Sequence, residues 1–151
     1  MDESKVIDLL YRINELFRKE WFKISVEKSS QEDEEQMVMD MFTEGNCASY
    51  AELIYNIFKD KGAVIGKCND HILIKIGNRY YDAISGYFPN KEKLQEAVDK
   101  YGFIEYDLNT EEGLNRFEDY KYICKSNVYV TDLLNKIENL ILEEKKIKNK
   151  I

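Results

Sequence analysis

Three residues in the middle of the chain are of the types that thiol chemistry needs. Cys47 follows Asn46 at the start of an apolar helical repeat, His71 is the single histidine of the 151-residue sequence, and Asp82 lies beyond it. A cysteine attacks as its thiolate, which a helix N-terminus and a neighbouring histidine both favour. A carboxylate behind that histidine fixes its tautomer and stabilises its charge. The three residues therefore predict a nucleophile, a general base and an orienting group.

The segment that begins at Cys47 has the pattern of an amphipathic helix over residues 47–61. Its apolar side chains share one face, and Gly62 follows as a C-terminal stop. Asn46 is a favoured N-cap residue, which puts Cys47 at the first helical position. There its backbone N–H lacks an intrahelical partner and is free to face a developing oxyanion. The alternative is a packed thiol in a core helix, because cysteine is often buried.

A predicted hairpin decides whether His71 and Asp82 meet. With Gly77-Asn78 as a two-residue turn that has glycine first, Asp82 lies opposite Leu73, which shares a sheet face with His71. A three-residue turn would place the two on opposite faces. Asp70 is a second candidate carboxylate, but adjacent strand residues point to opposite faces. The turn therefore carries the prediction.

The remaining pattern predicts one α+β domain over residues 1–151, with buried N-terminal helices, an antiparallel sheet and a C-terminal helix. The acidic run Ser29–Gln36 indicates a solvated loop that passes into a helix with an acidic first turn. Further helices are predicted over residues 3–20, 91–100, 111–118 and 131–148, and strands over 63–65, 71–76, 79–84, 103–108 and 120–130. The apolar stripe of the last helix favours packing onto the sheet over pairing with a second copy.

Composition excludes several classes of protein. The chain has 22 basic against 29 acidic side chains and a net charge of −7, which argues against a nucleic-acid partner. It has no apolar run of membrane-spanning length, and its N-terminal segment lacks the pattern of a signal peptide. We therefore expect a cytoplasmic protein without a membrane partner. Its oligomeric state stays open.

Cysteine and histidine counts bear on metals and redox state. The three cysteines are Cys47, Cys68 and Cys124, an odd number that favours reduced thiols. One histidine and no Cys-x-x-Cys pair predict no metal site and no cofactor. Cys68 is expected in a loop between strands, and Cys124 in the core of a strand.

The segments NCASYAELIYNIFKDKGAV and DHILIKIGNRYYDAISG resemble the transglutaminase-like branch of the papain-like cysteine enzymes. The resemblance covers roughly residues 45–86. It implies a papain-like core in which Cys47 is the nucleophile, His71 the general base and acid, and Asp82 the residue that orients it. It also implies hydrolysis, deamidation or acyl transfer on an amide or acyl group of a protein or peptide, as in thiol proteases and related acyltransferases.

The resemblance leaves the oxyanion site incomplete. Papain has a glutamine six residues before its cysteine, and Met41 stands there in this chain. The second donor is therefore expected elsewhere. The residues considered for the oxyanion site and substrate cleft are Asn46, Gln36, Trp21 and Tyr81.

A second class of function is compatible with the same sequence. A chain with this fold and no turnover would act as an interaction or inhibitor protein, binding a partner through its acidic surface or its C-terminal helix. Reactivity of Cys47 separates this alternative from an enzyme, because only an activated thiol reacts quickly at low pH.

Overall fold

The computed structural model describes residues 2–23, 29–89, 91–124 and 126–150. Within these ranges lie six α-helices and four β-strands. The helices are α1 (Glu3–Trp21), α2 (Gln31–Thr43), α3 (Cys47–Phe58), α4 (Lys91–Tyr101), α5 (Glu111–Cys124) and α6 (Val128–Lys150). The strands are β1 (Val64–Cys68), β2 (His71–Ile76), β3 (Arg79–Tyr81) and β4 (Ile104–Tyr106). The predicted α+β class is confirmed.

The four strands form one antiparallel sheet in the order β3-β2-β1-β4. Its buried face packs against α3, whose side chains from Cys47 to Phe58 contribute much of the core. α1 adds a stripe at helical spacing, formed by Val6, Leu10, Ile13 and Phe17. The helix that begins at Cys47 is thus sandwiched between the sheet and other helices.

The hairpin between β2 and β3 has the predicted register. Ile76 pairs with Arg79 across the two-residue turn. Gly77 has a φ of +63°, while the one described non-glycine residue with positive φ is Asn69, so Asn78 has negative φ. This combination is the type II′ turn, in which the first central residue alone needs positive φ. The prediction of a turn with glycine first is confirmed.

The predicted acidic first turn of α2 and the predicted start of α3 at Cys47 are also confirmed. Ser30 caps α2 by accepting a hydrogen bond from the backbone N–H of Asp33, and the first turn of α2 is acidic. α3 begins at Cys47 and continues as a 3₁₀ turn to Lys61, after which Gly62 adopts the left-handed conformation.

One predicted strand, 120–130, is wrong, and two others, 79–84 and 103–108, are longer than the observed β3 and β4. No strand lies among the described residues between 120 and 130, because α5 continues to Cys124 and α6 begins at Val128. Asn127 caps α6 through its side chain, which accepts from the N–H groups of Tyr129 and Val130. β3 ends at Tyr81 rather than residue 84, because Asp82 caps a 3₁₀ helix, Ala83–Gly86.

The last helix packs on helices rather than on the sheet. Its buried stripe, Val130, Leu134, Ile137 and Ile141, lies in the core, and α6 contacts α3 and α1. The Nζ atom of Lys145 donates to the Ile57 carbonyl at the end of α3. The expectation that this stripe packs onto the sheet is wrong, because α3 lies between them. Among the described helices, none is long and apolar enough to cross a membrane.

Candidate functional site

His71 and Asp82 form a hydrogen bond. The Nε2 atom of His71 lies 3.1 Å from the Oδ2 atom of Asp82. The His71 side chain is 27 % exposed and the Asp82 side chain 7 %, so this contact is shielded from water. Because Nε2 is engaged by the carboxylate, Nδ1 is the ring nitrogen left for a second partner.

The second oxygen of Asp82 fixes the carboxylate in place. Its Oδ1 atom accepts from the backbone N–H groups of Ile84 and Ser85, at 3.0 and 3.3 Å. In return, the Ser85 hydroxyl accepts from the backbone N–H of Asp82 at 3.2 Å, which completes a capping box. Asp82 therefore binds His71 from the N-cap position of a hydrogen-bonded 3₁₀ helix.

Helix α1 packs against this 3₁₀ helix and forms a hydrogen bond with it. The buried Asn14 side chain donates to the Ala83 carbonyl at 2.8 Å and accepts from the Tyr50 hydroxyl at 2.8 Å. Gly86 packs so closely on α1 that an added Cβ would lie 2.6 Å from the Asn14 amide nitrogen. These contacts explain why the core holds a buried asparagine, since buried polar groups need partners.

Cys47 is the first residue of α3, and 5 % of it is exposed. Burial raises the pKa of its thiol, but hydrogen-bonding interactions with the His71 ring, the backbone N–H of Ile72 and the Tyr120 hydroxyl lower it. The charge of His71 lowers it further, and the net pKa is below that of an ordinary cysteine. The site therefore favours the thiolate.

His71 has the opposite shift. Burial lowers its pKa, but the hydrogen bond with Asp82, the neighbouring Cys47 thiol and the charges of both raise it, to about 9 overall. A raised histidine pKa beside a lowered cysteine pKa favours a thiolate–imidazolium pair. The structure thus brings Cys47, His71 and Asp82 into one line of interactions.

Tyr120 and Cys124, in the last turns of α5, also interact with the Cys47 thiol. The Tyr120 hydroxyl donates to the Asp70 carbonyl at 2.8 Å and interacts with the thiols of Cys47 and Cys124. Burial and then the charge of Cys47 raise the pKa of Tyr120. Sequence reasoning missed both residues because it assigned them to a strand rather than to the last turns of α5.

An open cleft of about 390 Å³ borders His71 and Asp82. Its walls come from the end of α2, the β1–β2 turn, the 3₁₀ helix and α4, and its apolar part includes Leu73, Ile84, Leu94, Ala97 and Tyr101. Asp70 and Asp82 are the charged members of its lining apart from His71. A larger hollow, about 470 Å³, lies between Arg79 and Gln95 and touches none of these three residues.

A family model described as Phage YunG-like protein matches residues 24–120, well over half of the chain. The chain belongs to the Phage YunG-like family. The matched segment contains Cys47, His71, Asp82 and Tyr120. No curated protein and no solved structure matches the chain significantly.

Membership of the Phage YunG-like family corrects the resemblance drawn from the sequence. The assignment to the transglutaminase-like and papain-like enzymes was wrong, and a papain-like core is not confirmed. The expectation of a hydrolase or thiol protease depended on that assignment and has no support from the family. The resemblance covers only about residues 45–86. The order of a cysteine, a helix, a strand with a histidine and an aspartate is too short a pattern to decide the family.

Asn46 has a different role in this YunG-like chain from the one expected. Its side chain makes no cap bond to α3, although it stands at the N-cap position. Its amide donates to the Met41 carbonyl and accepts from the backbone N–H of Asn127, both at 3.0 Å. Asn46 therefore links α2 to the start of α6, and both polar atoms of its side chain have partners within the protein.

The other three residues considered for the oxyanion site lie elsewhere. Gln36 is on the exposed face of α2 and donates to Asp40. Trp21 stacks on Phe17, with ring centroids 5.4 Å apart. Tyr81 is buried in the core, directly before Asp82. Gln36, Trp21 and Tyr81 make none of the interactions described above for the Cys47 thiol.

Proposed function

We propose that this chain carries out cysteine-dependent acyl chemistry on an amide or acyl group of a protein or peptide. The observation that supports it most is the position of His71. One ring nitrogen is bound to the buried carboxylate of Asp82, and the ring also interacts with the thiol of Cys47 at the start of a helix. This is the arrangement that activates a thiol nucleophile.

In the proposed reaction the Cys47 thiolate attacks the carbonyl carbon of the substrate. The carbonyl electrons move to oxygen, and the backbone N–H of Cys47, free at the start of α3, faces that oxyanion. His71 gives its proton to the leaving group as the tetrahedral centre collapses to a thioester on Cys47. His71 then takes a proton from the acceptor that attacks the thioester, and the thiolate is restored.

Asp82 keeps the His71 ring in register through both steps. Because its Oδ1 atom accepts two hydrogen bonds from the 3₁₀ helix, its Oδ2 atom is held toward Nε2. The negative charge beside the ring stabilises the imidazolium between proton transfers. Asp82 is thus a positioning residue rather than a proton acceptor.

The cleft beside His71 supplies a place for the apolar part of the substrate. Its lining is mostly apolar, and its charged members apart from His71 are acids. An acyl group or side chain without negative charge fits this lining, whereas an anionic one is repelled. The net charge of −7 likewise disfavours a nucleic-acid substrate. We place the reaction in the cytoplasm, where a reducing environment keeps the thiol free.

An activated acyl donor tests the proposal. Full-length protein is incubated with p-nitrophenyl acetate, and intact mass and peptide mapping locate the acetyl group. We expect a single acetyl group on Cys47, none in Cys47→Ala, and an unchanged result in Cys68→Ala. Release of p-nitrophenol no faster than in buffer, or acetylation spread over lysines, would overturn the proposal.

One observation favours the alternative of an interaction protein. Four large side chains at the corner between α5 and α6 are exposed: Tyr122, Ile123, Val128 and Tyr129. Two of them begin the C-terminal helix, and apolar groups exposed together often mark a binding surface. The simplest partner to measure is a second copy. Sedimentation that detects a dimer in the wild type and a monomer in Tyr122→Ser/Tyr129→Ser supports this role, and a monomer at all concentrations counts against it.

A further inference from the structure

Cys124 lies beside Cys47 although the two are far apart in sequence. The neighbouring Cys47 is among the groups that raise the pKa of the Cys124 thiol, and the Tyr120 hydroxyl interacts with both cysteines. The backbone agrees with this placement, because a Cβ added to Gly45 would lie 3.7 Å from the Cys124 carbonyl oxygen. The end of α5 is therefore in direct contact with the segment that leads into α3.

Hydrogen bonds on both sides keep this contact in place. The Ser126 hydroxyl donates to the Gly45 carbonyl at 3.0 Å, and the backbone N–H of Asn127 donates to the Asn46 side chain at 3.0 Å. One residue of each pair lies just before Cys47 and the other just after Cys124. The two cysteines are thus held together by contacts that do not involve their own sulfur atoms.

We propose that Cys47 and Cys124 form a reversible disulfide when the protein meets a hydroperoxide. Cys47 is the attacking residue, because it sits at a helix N-terminus beside His71, and Cys124 is the resolving residue. Cys124 is half-buried at the last position of a helix, where a small movement of the side chain or backbone costs little. A disulfide requires the two Cβ atoms to lie about 3.5–4.5 Å apart and the two Cα atoms about 4.4–6.8 Å apart.

The chemistry balances in two steps. The Cys47 thiolate attacks one oxygen of hydrogen peroxide, the O–O bond breaks, and the departing hydroxide takes a proton from His71 to leave as water. The sulfur of Cys124 then attacks the sulfenic acid of Cys47, and the S–S bond forms as a second water leaves with the thiol proton. The peroxide gains the two electrons that the thiols lose, and an external thiol or dithiol reverses the change.

Cys68 gives a matched control. It is buried at the end of β1, and burial raises the pKa of its thiol. No interaction with Cys47 or Cys124 is among the causes of that shift. It should therefore stay reduced under conditions that oxidise the other two.

The bond has a consequence for the reaction proposed above. It consumes the Cys47 thiol, so it stops acyl chemistry until a reductant restores it. This consequence depends on the proposed function, whereas the disulfide itself does not. If the protein forms the disulfide but never accepts an acetyl group, the disulfide inference stands and the proposed function fails.

The experiment uses the full chain, reduced and then treated with one equivalent of hydrogen peroxide. We expect the intact mass to fall by two hydrogen atoms, a peptide map to join Cys47 to Cys124, and dithiothreitol to reverse both changes. In Cys124→Ser the sulfenic acid should persist on Cys47 and be trapped by dimedone, whereas Cys68→Ser should behave as the wild type. Three thiols still free after treatment, or a bond that includes Cys68, would overturn the proposal without any variant.

Discussion

The Nε2 atom of His71 and the Oδ2 atom of Asp82 lie 3.1 Å apart, although His71 opens β2 and Asp82 lies beyond the end of β3. A longer β3 would have placed Asp82 in the sheet, with its side chain perpendicular to it. Because the chain turns into a 3₁₀ helix at this point, one carboxylate oxygen binds the helix and the other binds the imidazole. The end of a strand therefore sets the geometry of the site.

Thiol reactivity should distinguish Cys47 from the other two cysteines. The pKa of Cys47 is lowered, whereas burial raises the pKa of Cys68 and of Cys124. At pH 6 an ordinary thiol is only about 0.3 % thiolate, given its usual pKa of about 8.5. We expect iodoacetamide to alkylate Cys47 at least about tenfold faster than the others at this pH.

Peptide mapping after short labelling measures the three rates in one sample. The control is the same experiment in denaturant, where the three thiols should react alike. Equal slow labelling of all three cysteines in the folded protein would show that Cys47 is an ordinary packed thiol.

Asp82→Asn should separate orientation from folding. The amide oxygen can still accept from Ile84 and Ser85, so the 3₁₀ helix should persist. The negative charge beside His71 is lost, and the wrong tautomer is favoured. We expect acyl transfer to Cys47 to slow by roughly 10³–10⁴-fold while the circular dichroism spectrum is unchanged.

The same variant predicts a pH dependence of stability. The His71 pKa is raised in the folded protein, to about 9, above its unfolded value of about 6.5. A raised pKa stabilises the protonated folded state, so this contribution is fully present below pH 6.5 and is lost as the pH rises through about 9. The free energy of unfolding of the wild type should exceed that of Asp82→Asn at pH 6, and the difference should shrink by pH 9.5. A difference that grows with pH would contradict the assignment.

The hairpin was predictable because its turn has a specific chemistry. Gly77-Asn78 between alternating apolar residues restricts the register to one choice, and that register brings Asp82 close to His71. The helix at Cys47 was equally predictable, because its apolar face defines the helix and Gly62 marks its end. Local signals of this kind need no knowledge of the rest of the chain.

The part of the site formed by Tyr120 and Cys124 was not predictable, because it depends on tertiary contacts rather than on local signals. The run from Tyr120 to Val130 is rich in aromatic and β-branched residues, which favoured a strand by propensity. Tyr122 and Ile123 are instead exposed on a helix, and Asn127 is the N-cap of the next helix. Tertiary contacts to α3 and to the β1–β2 turn decide this segment, and no spacing in the sequence records them.

A bulky side chain in the cleft should change acyl selectivity without changing the thiol. Ala97 lines the cleft beside His71, whereas Gln95 on the same helix lines the separate hollow near Arg79. We expect the wild type to react faster with p-nitrophenyl hexanoate than with the acetate, because the longer chain is buried in the apolar cleft. Ala97→Trp should lose this preference and keep its rate with acetate.

Gln95→Trp is the matched control, since it adds the same bulk to the same helix outside the cleft. Its selectivity should equal that of the wild type. An unchanged preference for hexanoate in Ala97→Trp would show that the acyl chain binds elsewhere.

Tyr120→Phe tests whether the tyrosine hydroxyl serves the oxyanion. The Tyr120 hydroxyl has one proton, which it gives to the Asp70 carbonyl in the resting structure, and the same oxygen interacts with the Cys47 thiol. Rotation about its C–O bond can redirect that proton to a charge that develops beside the sulfur, and Asp70 is an exposed turn residue whose carbonyl water can solvate. Loss of one such donor typically slows acyl transfer by roughly 10²–10³-fold.

Tyr122→Phe, which changes a tyrosine that is 85 % exposed on the same helix, should react as the wild type does. Rates of acetyl transfer to Cys47 in the two variants decide the matter: equal rates would leave the backbone N–H of Cys47 as the sole donor, whereas a loss confined to Tyr120→Phe assigns the second donor to a residue at the end of α5.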